Sequence, residues 1–205
     1  KAKPKYLKAT LRPYQKNGYN WLNQMNDLGF GACLADDMGL GKTIQVISFL
    51  EKMYENNKES HVLLIVPASL LGNWSKEIDK FAPRMTYHIL HGKTNILDED
   101  CFATITTYGM ALRNEYLQER VWDCLILDEA QAIKNPATKQ TRAIKKIPSK
   151  MRIAMTGTPI ENDLSNLWSL FDFLNKGLLG SATDFKNYTK KVQAHPEYIT
   201  KLKIF

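Results

Sequence analysis

The residues best equipped for chemistry lie in the run Asp36-Asp37-Met38-Gly39-Leu40-Gly41-Lys42-Thr43. It follows the apolar stretch Phe30 to Ala35 and opens a segment carrying Ile44, Ile47 and Leu50 at helical spacing. A strand, a glycine loop and a helix in that order form the context of a phosphate loop. Glycines let backbone amides turn inward around phosphate oxygens, and the helix N-terminus adds partial positive charge. In such a loop Lys42 reaches the β and γ phosphates and the Thr43 hydroxyl ligates magnesium. Asp36 stands where the general G-x-x-x-x-G-K-T pattern has its first glycine, so the residues alone also fit an ordinary glycine turn capping a helix.

A second constellation follows the apolar run Cys124 to Leu127, which leads straight into Asp128, Glu129, Ala130 and Gln131. A buried parallel strand ending in adjacent carboxylates sets both at the carboxyl edge of the sheet, where open parallel sheets bind ligands. Asp128 is suited to hold a magnesium ion bridging β and γ phosphates, and Glu129 to orient and deprotonate an attacking water. Taken alone, a strand followed by Asp-Glu is also a common way to cap a helix. Lys42 and Thr43 on an earlier strand edge favour the catalytic reading.

The elements that must position these groups alternate along the chain. Short apolar runs at Gly31 to Ala35, Val62 to Val66, Ala103 to Thr106, Cys124 to Leu127 and Ile153 to Met155 are separated mostly by longer helical stretches. Runs apolar on both faces suit a parallel sheet covered on both sides, so the expected class is α/β. Gly18, Trp21, Leu22, Met25 and Leu28 mark an amphipathic helix ending at Gly29. Leu70, Leu71, Trp74, Ile78 and Phe81 make one covering helix, and Leu164, Leu167, Trp168, Phe171 and Leu174 another, their aromatics assigned to the core.

The chain has 205 residues, 44% of them hydrophobic, and a formal charge of +7, an ordinary composition for one globular domain. Lys1, Lys3, Lys5, Lys8, Arg12 and Lys16 all precede the first acid, Asp27. A second acid-free stretch holds Lys134, Lys139, Arg142, Lys145, Lys146, Lys150 and Arg152. Each stretch fits either a solvated face or contact with a phosphate backbone. No apolar run approaches the roughly 20 residues that span a bilayer, so no membrane partner is expected. Cys33, Cys101 and Cys124 are odd in number and far apart, which suits a reducing, cytoplasmic setting. His61, His88, His91 and His195 lack metal-ligand spacing. The start at Lys1 and the end inside a Lys-rich stretch at Phe205 suggest a piece of a longer protein.

Further segments complete an ordered set: Leu11-Arg12-Pro13-Tyr14-Gln15, Pro67 with Ser69 to Trp74, Thr106-Thr107-Tyr108, Ile133-Lys134-Asn135, and Thr156-Gly157-Thr158-Pro159-Ile160-Glu161-Asn162. With the phosphate loop and the acidic pair, this order resembles the first motor lobe of the Swi/Snf-type DNA translocases, within helicase superfamily two, over nearly the whole chain. The resemblance accounts for Asp36, because the family usually has an acidic residue there. Asp37 in place of the usual glutamate is a mild departure. Gln131 replaces a histidine common in eukaryotic relatives and points to a bacterial or archaeal member; an amide there still hydrogen-bonds but carries no charge.

The resemblance implies a RecA-like, phosphate-loop α/β domain over residues 1–180, the start of a truncated helical segment over 181–205, and a second RecA-like lobe outside this chain. It implies ATP and magnesium as ligands. Gln15 would read the adenine edge, and Asp37, Met38, Gly39, Leu40, Gly41, Lys42 and Thr43 would hold nucleotide. Asp128 and Glu129 would carry hydrolysis, and Pro67, Ser69, Thr107 and Tyr108 would touch the backbone of double-stranded DNA without reading its sequence. Gln131, Thr156, Gly157 and Thr158 would couple nucleotide state to lobe movement. Gln15 equally suits a surface helix, and Thr156 and Thr158 a turn before Pro159. The arginine finger would belong to the absent lobe, so the isolated chain is expected to turn over poorly. The expected setting is the nucleoid of a bacterium or archaeon, or the nucleus of a eukaryote, with a DNA-bound protein as the remodelled partner. An RNA or single-strand helicase lobe and a nucleotide-gated binding module are the alternatives.

Overall fold

Val62 to Val66 is apolar at every position, and every one of these residues is buried. In a computed structural model, which describes residues 2–35, 41–93, 98–157 and 164–176 with Thr183, Asn187 and Lys190, this run is a central strand of a parallel sheet. The strands are β1 (Ala32–Ala35), β2 (Val62–Val66), β3 (Tyr87–Leu90), β4 (Ala103–Thr107), β5 (Trp122–Leu127) and β6 (Ser149–Thr156), in the order β1-β6-β5-β2-β4-β3. Every pairing is parallel.

Pleating divides each strand between two cores. Val62, Leu64 and Val66 face one side with Cys124, Ile126, Ile153 and Met155, while Leu63 and Ile65 face the other with Leu125, Leu127 and Ala154. Helices α1 (Pro13–Leu28), α2 (Lys42–Asn56) and α3 (Leu71–Phe81) cover the first side through Leu22, Ile47, Phe49, Trp74 and Ile78. Helices α4 (Tyr108–Arg113), α5 (Lys139–Lys145) and α6 (Leu164–Leu174) cover the second through Met110, Ile144, Leu170 and Phe173. The chain crosses toward β3 through α2 and α3 and returns toward β6 through α4 and α5, so right-handed crossovers place the two sets on opposite faces.

The sequence left β3 unread, because Tyr87-His88-Ile89-Leu90 is a short edge strand with polar and half-exposed positions. The second basic stretch is also less uniform than its composition suggests. Arg152 is half-buried, donating to Ser149 Oγ, Phe173 O, Lys145 O and Ile147 O, and Lys145 pairs with Asp172 at 3.1 Å. These cations fasten β6 and α5 to α6. Lys134, Lys139, Arg142 and Lys146 remain exposed. The three cysteines are unpaired, and no helix among the described residues is long and apolar enough to cross a membrane.

Candidate active site

β1, β6 and β5 are neighbours, so the loop after β1, the Thr156-Gly157 end of β6 and the Asp128-Glu129 turn after β5 sit side by side at the carboxyl edge of the sheet. Gly41 caps α2 with φ +99°, a left-handed conformation that favours glycine. A methyl group there would lie 2.6 Å from Gln15 Nε2 and 3.0 Å from the Tyr14 hydroxyl, which sets both side chains against the end of the loop. Gln15 is held in place, its Oε1 accepting the Arg12 amide at 2.9 Å at the start of α1. Lys42 is 9% exposed, and a methyl on Gly157 would lie 3.2 Å from its ammonium. Lys42 thus leans from α2 toward the end of β6. Thr43 follows it, half-buried. Asp37, Met38, Gly39, Leu40 and Thr158 lie outside the described residues, as does most of 181–205.

Both oxygens of Asp128 have donors: Oδ2 accepts Trp74 Nε1 at 2.8 Å, and Oδ1 accepts the Glu129 amide at 2.9 Å. Its own amide stays in the ladder, donating to Ile65 O at 2.9 Å. Burial pushes the Asp128 carboxyl above the usual carboxylate range, and the Glu129 charge adds to this; the Trp74 and Glu129 hydrogen bonds and the Lys42 ammonium pull the other way. A carboxylate raised by burial and beside a lysine is the kind of group that a cation would return to its charged form.

Glu129 has φ 53° and ψ 54°, the sole positive φ outside glycine among the described residues. Such a conformation costs on the order of 1–3 kcal/mol and persists where surrounding contacts over-determine it. Here the contacts are explicit. The Tyr108 hydroxyl donates to Asp128 O at 2.6 Å and lies 3.4 Å from Glu129 O, while Gln131 Nε2 donates to Glu129 Oε2. Thr156 Oγ1 then donates to Gln131 Oε1 at 3.2 Å, so a side-chain chain joins the ends of β5 and β6.

The residues expected at DNA divide into two groups. Pro67 is half-buried and Ser69 exposed, in the turn after β2 at the same sheet edge. The hydroxyls of Thr107 and Tyr108 are engaged inside: Thr107 Oγ1 accepts the Met110 amide at 3.2 Å, capping α4, and Tyr108, 8% exposed, turns toward the Asp128-Glu129 turn. A buried phenol needs a hydrogen-bond acceptor, and the two carbonyls of a strained turn supply it. Trp74 is the converse case. Assigned to the core, it is fully buried and also holds Asp128. The signal available in sequence was general: a buried indole N–H must find an acceptor.

This sheet order with these turns defines a RecA-like phosphate-loop domain. More narrowly, a model of the SNF2-related domain matches residues 14–203, and the chain belongs to that family. It is 46% identical over 197 residues to YwqA of Bacillus subtilis, whose name describes an ATP-dependent helicase/translocase, covering 91% of this chain and 21% of that protein. The human DNA excision repair protein ERCC-6-like is 43% identical over 196 residues, covering 88% of this chain and 16% of that one. The Sulfolobus solfataricus SWI2/SNF2 ATPase core, solved in complex with dsDNA, superposes with a TM-score of 0.86 at 49% identity, over 91% of this chain and 40% of that chain. The chain therefore spans about a fifth or less of the curated relatives it matches.

Proposed function

We propose that this chain is the ATP-binding motor lobe, over residues 1–180, of a DNA-dependent ATPase that translocates on double-stranded DNA and remodels protein–DNA complexes. The observation that carries the reading is the Asp128-Glu129 turn, held at the sheet edge with every Asp128 oxygen engaged, beside Lys42 and linked through Gln131 to Thr156. Lys42 is a compact cation suited to charge developing on the transferring phosphate. Glu129, its Oε2 fixed by Gln131, orients a water and takes its proton as the water oxygen bonds to the γ-phosphorus and the bond from that phosphorus to the bridging oxygen breaks, releasing ADP and phosphate. Gln15 keeps its oxygen on Arg12 and so presents an N–H donor beside Gly41, a match for an acceptor on an adenine edge.

The donor set suits magnesium, since the Thr43 hydroxyl and the Asp128 carboxylate are hard oxygen ligands. A bound magnesium would supply charge neutralisation of the phosphates. Asp37, Met38, Gly39 and Leu40 complete the proposed nucleotide loop. The Gln131–Thr156 hydrogen bond gives the nucleotide-sensing turn a route to β6, with Gly157 and Thr158 next in line toward a second RecA-like lobe. Similarity to a core solved with dsDNA supports duplex DNA as the track, with Pro67 and Ser69 at the exposed edge facing it. Contacts of this kind neutralise phosphate and predict salt-sensitive, sequence-independent binding. Such a motor works where chromosomal DNA lies, on a nucleoid or in a nucleus, against proteins bound to that DNA.

The test is the ATPase rate of the full-length protein carrying this chain, measured with duplex DNA, single-stranded DNA and RNA at one salt concentration. Strong stimulation by duplex DNA is expected. Stimulation mainly by RNA or single strands would overturn the translocase reading in favour of a helicase.

A further inference from the structure

Two segments at the sheet edge each send one buried side chain beneath the nucleotide site to the same turn. Trp74, on α3 just beyond the Pro67–Leu70 turn, donates to the Asp128 side chain, and Tyr108, directly after β4, donates to the Asp128 main chain. The Tyr108 hydroxyl has one proton and two acceptors, at 2.6 Å on Asp128 O and 3.4 Å on Glu129 O. Those two carbonyls flank the residue held at φ 53°, the position where the turn is strained. The backbone of Tyr108 is itself fixed, because Thr107 Oγ1 caps α4 through the Met110 amide, so the ring moves with the β4 end as one body.

We propose that Tyr108 is a positioning residue whose hydroxyl transmits engagement of duplex DNA at the sheet edge to the Asp128-Glu129 turn and so sets how strongly DNA stimulates hydrolysis. The inference rests on the proposed function, since it concerns the same site and assumes DNA at that edge. A small displacement of the β4 end redistributes one proton between two carbonyl oxygens, and the turn whose geometry aims Glu129 follows it. The Tyr108 ring belongs to the second core, which also holds Ile65, Leu127 and Ala130, so the hydroxyl can be removed while the apolar ring stays. Phenylalanine is the substitution that does this.

The experiment compares wild type with Tyr108→Phe in the full-length protein. It measures kcat with and without saturating duplex DNA, the KM for ATP, the Kd for the duplex, and amide exchange across 129–132. The ratio of DNA-stimulated to basal kcat is expected to fall about tenfold, as loss of one buried hydrogen bond to a strained turn allows. The KM and the Kd are expected to stay within about twofold. A general loosening of the fold lowers both rates together and leaves that ratio intact, so the ratio isolates positioning from structure. In wild type, DNA is also expected to change protection of the Ala132 amide, which donates to Glu129 O, and this response is expected to vanish in Tyr108→Phe. An unchanged ratio, or an unchanged exchange response, overturns the inference while leaving the proposed function standing. A wild type that duplex DNA does not stimulate overturns the proposed function, and this inference with it.

Discussion

Two close pairs of carboxylates among the described residues solve the problem of burial in opposite ways. Asp128 and Glu129 sit where β5 ends, and indole, amide, phenol and carboxamide donors converge on that turn. Glu51 and Glu55 sit one turn apart on α2, under the N-terminal segment. Glu51 is 0% exposed and, among the described residues, has no hydrogen-bond donor on either oxygen; Glu55 accepts the Lys5 amide at 2.8 Å on Oε1, while its buried Oε2 has no donor there. Burial, then the charge of Glu55, pushes the Glu51 carboxyl up to about 7, against the opposing charges of Arg84 and Lys58. The first pair is held oriented at the sheet edge. The second lowers its cost by holding a proton. Two buried acids are therefore not in themselves a site; donors that fix their orientation, and a place at the sheet edge, make one.

The sharpest test of the contrast exchanges glutamate for glutamine in each pair. Glu129→Gln is expected to lower kcat by roughly 10³-fold while ATP still binds, as loss of a general base does, read by single-turnover hydrolysis beside nucleotide binding. Glu51→Gln is expected to leave kcat unchanged and to alter stability instead. The folded-state value of Glu51, about 7, lies above its ordinary 4.5, so the folded protein binds this proton more tightly than the unfolded chain. That contribution is fully present below pH 4.5 and is lost as pH rises through 7. The glutamine is neutral throughout and can donate toward Glu55, so it should add on the order of 2 kcal/mol at pH 8 and little at pH 5. Thermal melts at both pH values check this, and equal gains at both would remove the protonation argument. Trp74→Phe probes the first pair from beneath. Removing the indole donor from Asp128 is expected to cost about 2 kcal/mol in transition-state stabilisation, seen in kcat with and without DNA alike. A loss confined to the KM for ATP would instead mean that Trp74 merely packs.

The contrast also shows which features local sequence records. Strand, glycine loop and helix around Lys42, and strand then acids at Asp128, are local patterns, because phosphate chemistry and parallel-sheet burial each impose their own short-range order. The both-faces-apolar strands announced the α/β sheet, and its two helical layers followed. Tyr108 illustrates what such patterns omit. The family resemblance implied DNA contact for its Thr-Thr-Tyr segment, and no local pattern told that its hydroxyl lies on a carbonyl 20 positions later in the chain. Trp74 was legible as core and no more, although it meets Asp128 across 54 positions.

The sequence by itself determined the class of fold and the family, and it supplied the residues proposed to bind a nucleotide and to carry out hydrolysis. Those follow from period, spacing and side-chain chemistry, which are properties of neighbouring residues. Only the tertiary structure decided that β6 separates β1 from β5, that Gln131 joins Glu129 to Thr156, that Arg152 serves the core, and that Glu51 is buried without a donor among the described residues. These depend on strand order and on which helix covers which face. Two segments far apart in the chain become partners only when the sheet between them closes, and no local pattern encodes which donor will then meet which acceptor.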